Sequence, residues 1–445
     1  MISSTDTREI SLQILLDVIE KDVFLHVELR KALDACSYLE RTKKAFIRRL
    51  CTGTVEKLIY LDYVIDSFSS VPVKKQKPLI RTILRMSLYQ IIFMDSVPDS
   101  AACNEAVKLT KKHGFSRLSG FVNGVLRSAA RGYKDIKTDE ATSLSMPIEI
   151  YSCIKEQYPE NYIDIFEAFN NHSQKGTIIR LNRSRIKGED AGSYLKRINA
   201  QAVCQELDVY RLSGIDGVES VEGFADGYFS VQDTSAAISS FLASPAEGEL
   251  CLDMCAAPGG KTIQLLNLSD DKIRVVSRDI SEYKLSLVLE AIDRCGFKSC
   301  DVQLKDASVF YGEDVDKYDI VIADVPCSGL GIIGTKPDIK HHFSMQGTDE
   351  LIVLQRKIME NAIRYVKPGG RLIYSTCTLN KKENEENVLW LVGEYGLEFE
   401  DISEKIPKCF DSVIDRGMVT LLPKTGINEG FFAAVIRKDD DIRRG

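Results

Sequence analysis

The chain has 445 residues, 44% hydrophobic and 28% charged, which allows two or three domains with proper cores and matches an ordinary soluble globular protein. No run of about eighteen apolar residues is present, so a membrane span is not expected, and the opening MISSTDTREI lacks the basic and apolar regions of a secretion signal. The net charge of -7 hides an asymmetry: residues 1–133 carry 21 Lys and Arg against 14 Asp and Glu, a balance of +7, which leaves the remainder at -14.

A basic N-terminal third on an acidic protein is the footprint expected for a polyanion such as nucleic acid, with solvated helix faces as the plain alternative. The twelve cysteines show no paired CxxC spacing. That argues against a zinc ribbon or a disulfide framework, so no metal, no membrane and a cytoplasmic location are expected.

In chain order, residues 6 to about 133 read as helical. Leu12, Leu15, Leu16 and Ile19 share one helix face, with Thr5 or Asp6 as N-cap. Ile80, Ile83, Leu84, Leu88 and Ile91 form a second stripe, and Pro72, Pro78 and Pro98 punctuate the segment. Basic clusters fall at Lys43, Lys44, Arg48 and Arg49, and at Lys74, Lys75 and Lys77. Residues 134–147 are polar and read as a linker. Residues 148–245 look mixed α/β, with a strand at Thr177–Asn182, a helix near Asp190–Ile198 and short strands over Val218–Val231. This region carries no chemical signature, so a substrate-guiding and a packing role stay open.

From 246 onward strands alternate with helices, which predicts a mainly parallel α/β sheet covered on both faces. Gly248–Leu252 is the first strand and Thr262–Leu268 opens a helix, with the small-residue turn CAAPGGK between them. In that turn Cys255, Ala256, Ala257, Pro258, Gly259, Gly260 and Lys261 leave little side chain between backbone and a nucleotide-like ligand. Strands follow at Ile273–Ile280, Asp301–Leu304, Tyr318–Ala323, Arg371–Ser375 and Phe431–Arg437, the last antiparallel. Helices follow at Ser281–Cys295, Asp349–Val366 (stopped by Pro368-Gly369-Gly370) and Lys382–Tyr395.

Ligands in such sheets bind at the carboxyl ends of strands, and the residues there are reactive. Asp279 is placed to accept both hydroxyls of a ribose, and Asp306 an amino group such as that of adenine. Asp324 heads DVPCSGLG, and Cys327 and Cys377 stand at successive strand ends. A lone Asp is usually a turn or cap residue; the joint occurrence argues otherwise. The turn lacks GxGxxG, and two thiols have no role in hydride transfer, which disfavours a dehydrogenase. A thiolate suits addition to carbon 6 of a pyrimidine, which makes carbon 5 nucleophilic toward a methyl group. Asp324 and the two cysteines supply the nucleophile, the carboxyl and the base this needs.

DMCAAPGGKT, DVPCSGLG, KPDIK and STCTLNKKENEENV resemble the motifs of the Sun (Nop/Sun) family of RNA cytosine methyltransferases. With FSVQDTSAA, and with Phe121–Arg127 resembling the last helix of NusB-like RNA-binding domains, nearly the whole chain is similar to the bacterial Sun/RsmB branch. The resemblance implies a multidomain protein. Its parts are an all-α NusB-like RNA-binding domain (1–133), a small α/β substrate-guiding region (148–245) and a Rossmann-like methyltransferase domain (246–445). It implies S-adenosyl-L-methionine as cofactor and a cytosine of 16S ribosomal RNA as target, free or within an assembling small subunit.

By the same resemblance, Cys255 to Lys261 would cradle the methionine part, Asp279 the ribose and Asp306 the adenine. Asp324 would lie near both cofactor and base. Cys377 would be the nucleophile and Cys327 would assist release, although the residues alone leave the two thiol roles open, since DNA cytosine methyltransferases use the Pro-Cys thiol. Two departures stand out. Ser277-Arg278 precede Asp279 where the family has smaller apolar residues, and Gly334-Thr335 stand where it has a basic pair. The alternatives are a non-catalytic RNA-binding protein, which would not bind the cofactor, and a DNA methyltransferase, which would form its adduct through Cys327.

Overall fold

A computed structural model describes residues 6–171, 176–186, 190–215 and 217–439; Thr5, the alternative first N-cap, lies outside them. The chain forms two compact units, Met1–Ser152 with Lys336–His342, and Cys153–Thr335 with Phe343–Gly445.

The first unit is helical: α1 (Thr7–Glu20), α2 (Leu25–Ala35), α3 (Arg41–Glu56), α4 (Leu58–Phe68), α5 (Pro78–Phe93), α6 (Asp99–Lys112), α7 (Ser119–Gly132) and α8 (Glu140–Ser143). Asp6 caps α1, its carboxylate accepting the Arg8 N–H at 2.9 Å. The expected stripe of α5 is buried, and Pro78 opens that helix where its missing N–H costs nothing. Arg85, on the same helix and 6% exposed, is neutralised by a two-pronged pair with Asp62 at 2.6 and 2.7 Å.

The stretch 134–147 is more than a linker. Ala141, Ser145 and Met146 are buried, and Ser145 Oγ accepts the N–H groups of Ile59 and Tyr60 at 3.2 and 3.3 Å, capping α4. Its polar residues read as linker because capping is done by polar residues.

In the second unit, α9 (Ile148–Gln157) begins before the boundary and α10 (Tyr162–Asn170) follows. A four-stranded antiparallel sheet then forms from β1 (Thr177–Leu181), β2 (Ala200–Cys204), β3 (Val209–Leu212) and β4 (Phe229–Val231), in the order β2-β3-β1-β4, with α11 (Ala191–Arg197) between β1 and β2. Both faces are covered. Ile178, Cys204 and Val209 join the core that holds Ile238, Leu242 and Cys251, while Ile179, Leu181 and Leu212 pack with Tyr194 and Leu195 of α11. The expected strand at Val218 is instead a single 3-10 turn, Val218–Ser220. β2 and β3 escaped the sequence reading because β2 is half-exposed and both are too short to show a period.

After α12 (Ala237–Ala243) comes the large sheet. Its elements are β5 (Leu250–Asp253), α13 (Gly260–Leu268), β6 (Arg274–Asp279), α14 (Glu282–Cys295), β7 (Cys300–Leu304), β8 (Tyr318–Asp324), α15 (Ile339–His342), α16 (Met345–Tyr365), β9 (Val366–Thr376), α17 (Glu385–Tyr395), β10 (Glu398–Phe399), β11 (Ser412–Asp415), β12 (Met418–Leu421) and β13 (Phe431–Arg437). The strand order is β11-β12-β13-β9-β8-β5-β6-β7, with β10 on β13. Strands β9-β8-β5-β6-β7 are parallel and β13 is antiparallel to β9.

The strand order reverses at β5, which has β6 on one side and β8 on the other. The crevice beyond its carboxyl end is therefore where this architecture binds ligands. Pro368-Gly369-Gly370 does not stop α16. The helix ends at Tyr365, and these residues form a bulge inside β9, where its register against β8 jumps between Val366 and Arg371.

α15 belongs to the first unit. There Asp338 Oδ2 accepts the Leu25 N–H at 3.0 Å, supplying α2 with the cap that Phe24 cannot give. Lys340 Nζ donates to the carbonyls of Glu56 at 2.6 Å and Ser145 at 3.0 Å, closing the end of α3.

Candidate active site

The turn between β5 and α13 is pinned on both sides. Met254 N–H donates to Ile322 O of β8 at 3.0 Å, and Ala256 N–H to Arg278 O of β6 at 2.8 Å. Gly259 has φ +102°, and a Cβ there would sit 3.3 Å from Val288 Cα of α14, so only glycine lets the turn lie this close. Asp253 is fully buried at the end of β5. Its Oδ2 accepts the Thr262 hydroxyl at 2.8 Å, while Oδ1 is buried without a partner. Burial pushes its carboxyl up to about 6. An unsatisfied buried acceptor beside the start of a helix is what a ligand with a donor or cationic group would complete.

The other acids fall as follows. Asp279 is nearly buried at the end of β6, its Oδ1 accepting the Ser281 N–H at 3.3 Å with Lys284 Nζ at 3.6 Å. Asp306 is half-buried past β7, and its Oδ1 closes a turn onto Ser308 N at 2.8 Å. Arg278, which the sequence marked as out of place, is buried and solved by a partner. Its guanidinium pairs with the fully buried Asp314 at 2.8 Å and bonds Gln303 and the Tyr318 hydroxyl at 3.0 and 3.2 Å.

Asp324 links the two halves of the site. Its Oδ2 accepts Lys261 Nζ of the turn at 2.6 Å, and its Oδ1 accepts the Ser375 hydroxyl of β9 at 2.8 Å. Burial opposes the Lys261 charge, but Asp324, Asp253 and Cys377 outweigh it and hold the ammonium above the ordinary lysine range. The Phe431 ring lies 5.7 Å from that ammonium.

Because Asp324 pairs with Ser375 in parallel register, the loops that leave β8 and β9 run side by side. Cys327 and Cys377 consequently meet with their sulfurs 3.3 Å apart, both partly exposed. The Cys327 thiol is held well above its ordinary value, first by its hydrogen bond with Cys377, then by burial and by Glu383. Gly331 N–H donates to Cys377 O at 3.0 Å, and a Cβ on Gly331 would lie 2.2 Å from Gly430 O, which makes glycine obligatory there.

Cys251 is fully buried and Cys255 partly, and burial raises both thiols. Cys300 is pushed up to about 11 for the same reason. All three are packing groups rather than nucleophiles. The strand-end residues therefore converge on the carboxyl edge of β5, β6, β8 and β9. The sequence reading passed over Asp253, although it ends a strand as the other acids do, and over Ser375 and Glu383, whose place beside the thiols only the register of β8 on β9 reveals. Among the described residues, no group of three or more His, Cys, Asp or Glu is placed to hold a metal ion. No described helix is long and apolar enough to cross a membrane.

Comparison with known proteins agrees with this layout. Residues 240–437 match the family described as 16S rRNA methyltransferase RsmB/F, and residues 5–131 match the NusB family. A probable ribosomal RNA small subunit methyltransferase B of Bacillus subtilis is 30% identical over 98% of this chain and 99% of its own length. A ribosomal RNA small subunit methyltransferase B of Shewanella oneidensis is 30% identical over 86% of this chain and 88% of its own. In fold, the chain is similar to the crystal structure of PH0851, with a TM-score of 0.80 and 24% identity over 98% of this chain and 99% of that one. A helical NusB domain joined to a Rossmann-like methyltransferase domain, with this full-length identity, places the chain in the RsmB/F family of 16S ribosomal RNA methyltransferases.

Proposed function

We propose that the protein transfers a methyl group from S-adenosyl-L-methionine to carbon 5 of a cytosine in 16S ribosomal RNA, through a covalent Cys377–cytosine intermediate. The observation that carries this reading is the 3.3 Å approach of Cys327 and Cys377 beside the Lys261–Asp324 pair. S-adenosyl-L-methionine, when bound, supplies an electrophilic methyl group. The residues present fit it: Asp253 Oδ1 is an open buried acceptor for its ammonium, and the turn from Cys255 to Lys261 offers backbone at close range. Asp279 and Asp306 would receive its ribose and adenine.

The geometry supports the following part for the chain's own residues. With Cys327 as its hydrogen-bond partner and the Lys261 ammonium nearby, Cys377 would act as the thiolate: its electron pair forms the bond to carbon 6 while the C5=C6 pair moves onto carbon 5, which becomes nucleophilic toward a methyl group. Asp324, fixed by Lys261 and Ser375, would hold the amino edge of the base. Once the Cys377 sulfur is bonded to carbon, the largest cause of Cys327's high proton affinity is gone. Cys327, which is partly exposed, would then lose its proton to solvent, and the resulting thiolate can take the proton on carbon 5. The C5–H electrons restore the C5=C6 bond and expel the Cys377 thiolate.

Residues 1–133 would bind RNA, 148–245 would guide the substrate strand, and 246–445 would carry the chemistry in the cytoplasm. The test is methyl transfer to 16S ribosomal RNA, free and in partly assembled small subunits, with bisulfite mapping of the product. A new 5-methylcytosine dependent on the protein and on S-adenosyl-L-methionine is expected. Methylation elsewhere, or only of duplex DNA, would overturn the reading.

A further inference from the structure

The thiol pair rests on a carboxylate that the chemistry above does not use. Glu383 is fully buried in the segment between β9 and α17. Its Oε1 accepts the Ser328 N–H at 2.8 Å and Gln355 Nε2 at 3.0 Å. Its Oε2 accepts the Ser328 hydroxyl, Asn380 Nδ2 at 3.2 Å and the Thr378 hydroxyl at 3.4 Å. Ser328 directly follows Cys327 and Thr378 directly follows Cys377, and their hydroxyls lie 2.8 Å apart, so Thr378 can donate to Ser328 in place of its longer bond to Glu383. One side chain thus ties together the two loops that carry the sulfurs.

All of these donors are neutral. A buried acidic side chain held by neutral dipoles lies in a poorly screened place, where its electrostatic effect on its neighbours is strong. Glu383 acts on Cys327, and the Lys261 ammonium acts on Cys377. Two further titratable groups lie beside the pair among the described residues: Tyr374, which stays protonated because burial raises it, and Asp324, already paired with Lys261. The two thiols are therefore chemically similar groups in an asymmetric field.

We propose that Glu383 is a positioning residue of the reaction: by bonding the residues that follow Cys327 and Cys377 it sets the distance between the two thiols, and its carboxyl, on the Cys327 side, makes their surroundings unequal so that Cys377 is the attacking sulfur. This rests on the proposed division of roles between the thiols. It goes beyond that division in naming what enforces it.

Glu383→Gln separates charge from scaffolding. The amide can keep its oxygen toward Ser328 N–H and Gln355, and the two hydroxyls can turn to accept from its NH2. Only the contact with Asn380, donor against donor, is lost. The probe is iodoacetamide, with labelling of each cysteine followed by peptide mass spectrometry from pH 6 to 9 and without RNA. In the native protein Cys377 should label first. In Glu383→Gln the ratio of Cys377 to Cys327 labelling should fall at least about tenfold, the effect of one pKa unit on a thiolate population. In the same variant kcat should fall with the KM for S-adenosyl-L-methionine little changed.

Ser328→Ala, which loosens the tie and leaves the charge, should lower kcat and keep the labelling ratio. A purely structural Glu383 would give the reverse pattern, a folded variant with lost kcat but an unaltered ratio, and that result overturns the proposal. If Glu383→Gln does not fold, a labelling ratio that also shifts in Ser328→Ala contradicts it. Methyl transfer by the native protein is read separately. Failure there removes the proposed function, while an unchanged ratio in an active enzyme removes only the role of Glu383.

Discussion

Replacing Asp314 by Asn removes the buried anion that makes Arg278 tolerable beneath the site. The Arg278 and Asp314 side chains are 4% and 0% exposed and pair at 2.8 Å, so neither charge has water to fall back on. Breaking such a pair from one side costs about 3–5 kcal/mol, because a buried charge is left uncompensated. Arg278 keeps its bonds to Gln303 and Tyr318, which places the expected loss near the lower end, roughly 3 kcal/mol, more than a hundredfold in the folding equilibrium.

Urea denaturation of the purified protein at pH 7.5 measures this, with Glu222→Gln as the control. Glu222 pairs with Arg197 at 3.1 Å where both side chains are well exposed, 58% and 44%, so its loss should cost under about 1 kcal/mol. The site should respond as well. Arg278 O holds the Ala256 N–H of the turn, so affinity for S-adenosyl-L-methionine in calorimetry should drop in Asp314→Asn and not in the control. Burial opposes ionisation of Asp314, but its bonds with Arg278, Lys317 and Tyr318 win and hold the carboxyl below the usual range. Its contribution is therefore whole above about pH 4, the unfolded value, and is lost as pH falls further. Equal losses in the two variants would refute the reasoning.

Further outcomes are expected elsewhere. Burial pulls the Lys340 ammonium down to about 7 from its ordinary 10.5, so the unfolded chain binds a proton that the folded one lacks between those values. Stability should rise with pH across that window, and Lys340→Met should flatten the rise in thermal denaturation; an unchanged slope counts against it. Gly331→Ala would drive a methyl to 2.2 Å from Gly430 O and 2.7 Å from Cys377 O. It should lower kcat by tenfold or more with little change in cofactor affinity, read from single-turnover rates and calorimetry. Lys43 and Arg48 are exposed on α3. Changing both to Ala should weaken RNA binding and shrink the slope of log K against log salt by up to about 2, and a slope unchanged across a salt series would contradict a phosphate-binding role.

Much of this architecture was legible because its signals are local. Leu12 to Ile19 and Ile80 to Ile91 are helix faces at helical spacing, and the alternation of strand and helix after residue 246 follows from short apolar runs broken by Gly, Pro and capping residues. Asp324, Cys327 and Cys377 stood out because reactive side chains at consecutive strand ends are rare by chance. What escaped depends on pairing across the chain. Ser145 read as part of a linker and Asp338 only as part of the KPDIK motif, and both become helix caps only through partners far away in sequence. Arg278 looked misplaced because its answer, Asp314, lies beyond β7. Glu383 sits in an acidic run that composition alone assigns to solvent, and the register of β8 against β9 buries it between the two thiol loops. The bulge at Pro368-Gly369-Gly370 imitates a helix stop because the same residues serve both purposes.

The most direct test of the central claim is a trapped adduct. Purified Cys327→Ala, incubated with 16S ribosomal RNA and S-adenosyl-L-methionine, should give a slowly migrating protein–RNA band on a denaturing gel. The crosslinked peptide should contain Cys377, and both band and methylation should vanish in Cys377→Ala. A band that persists in Cys377→Ala, or full methylation by that variant, would contradict the assignment of Cys377 as the nucleophile.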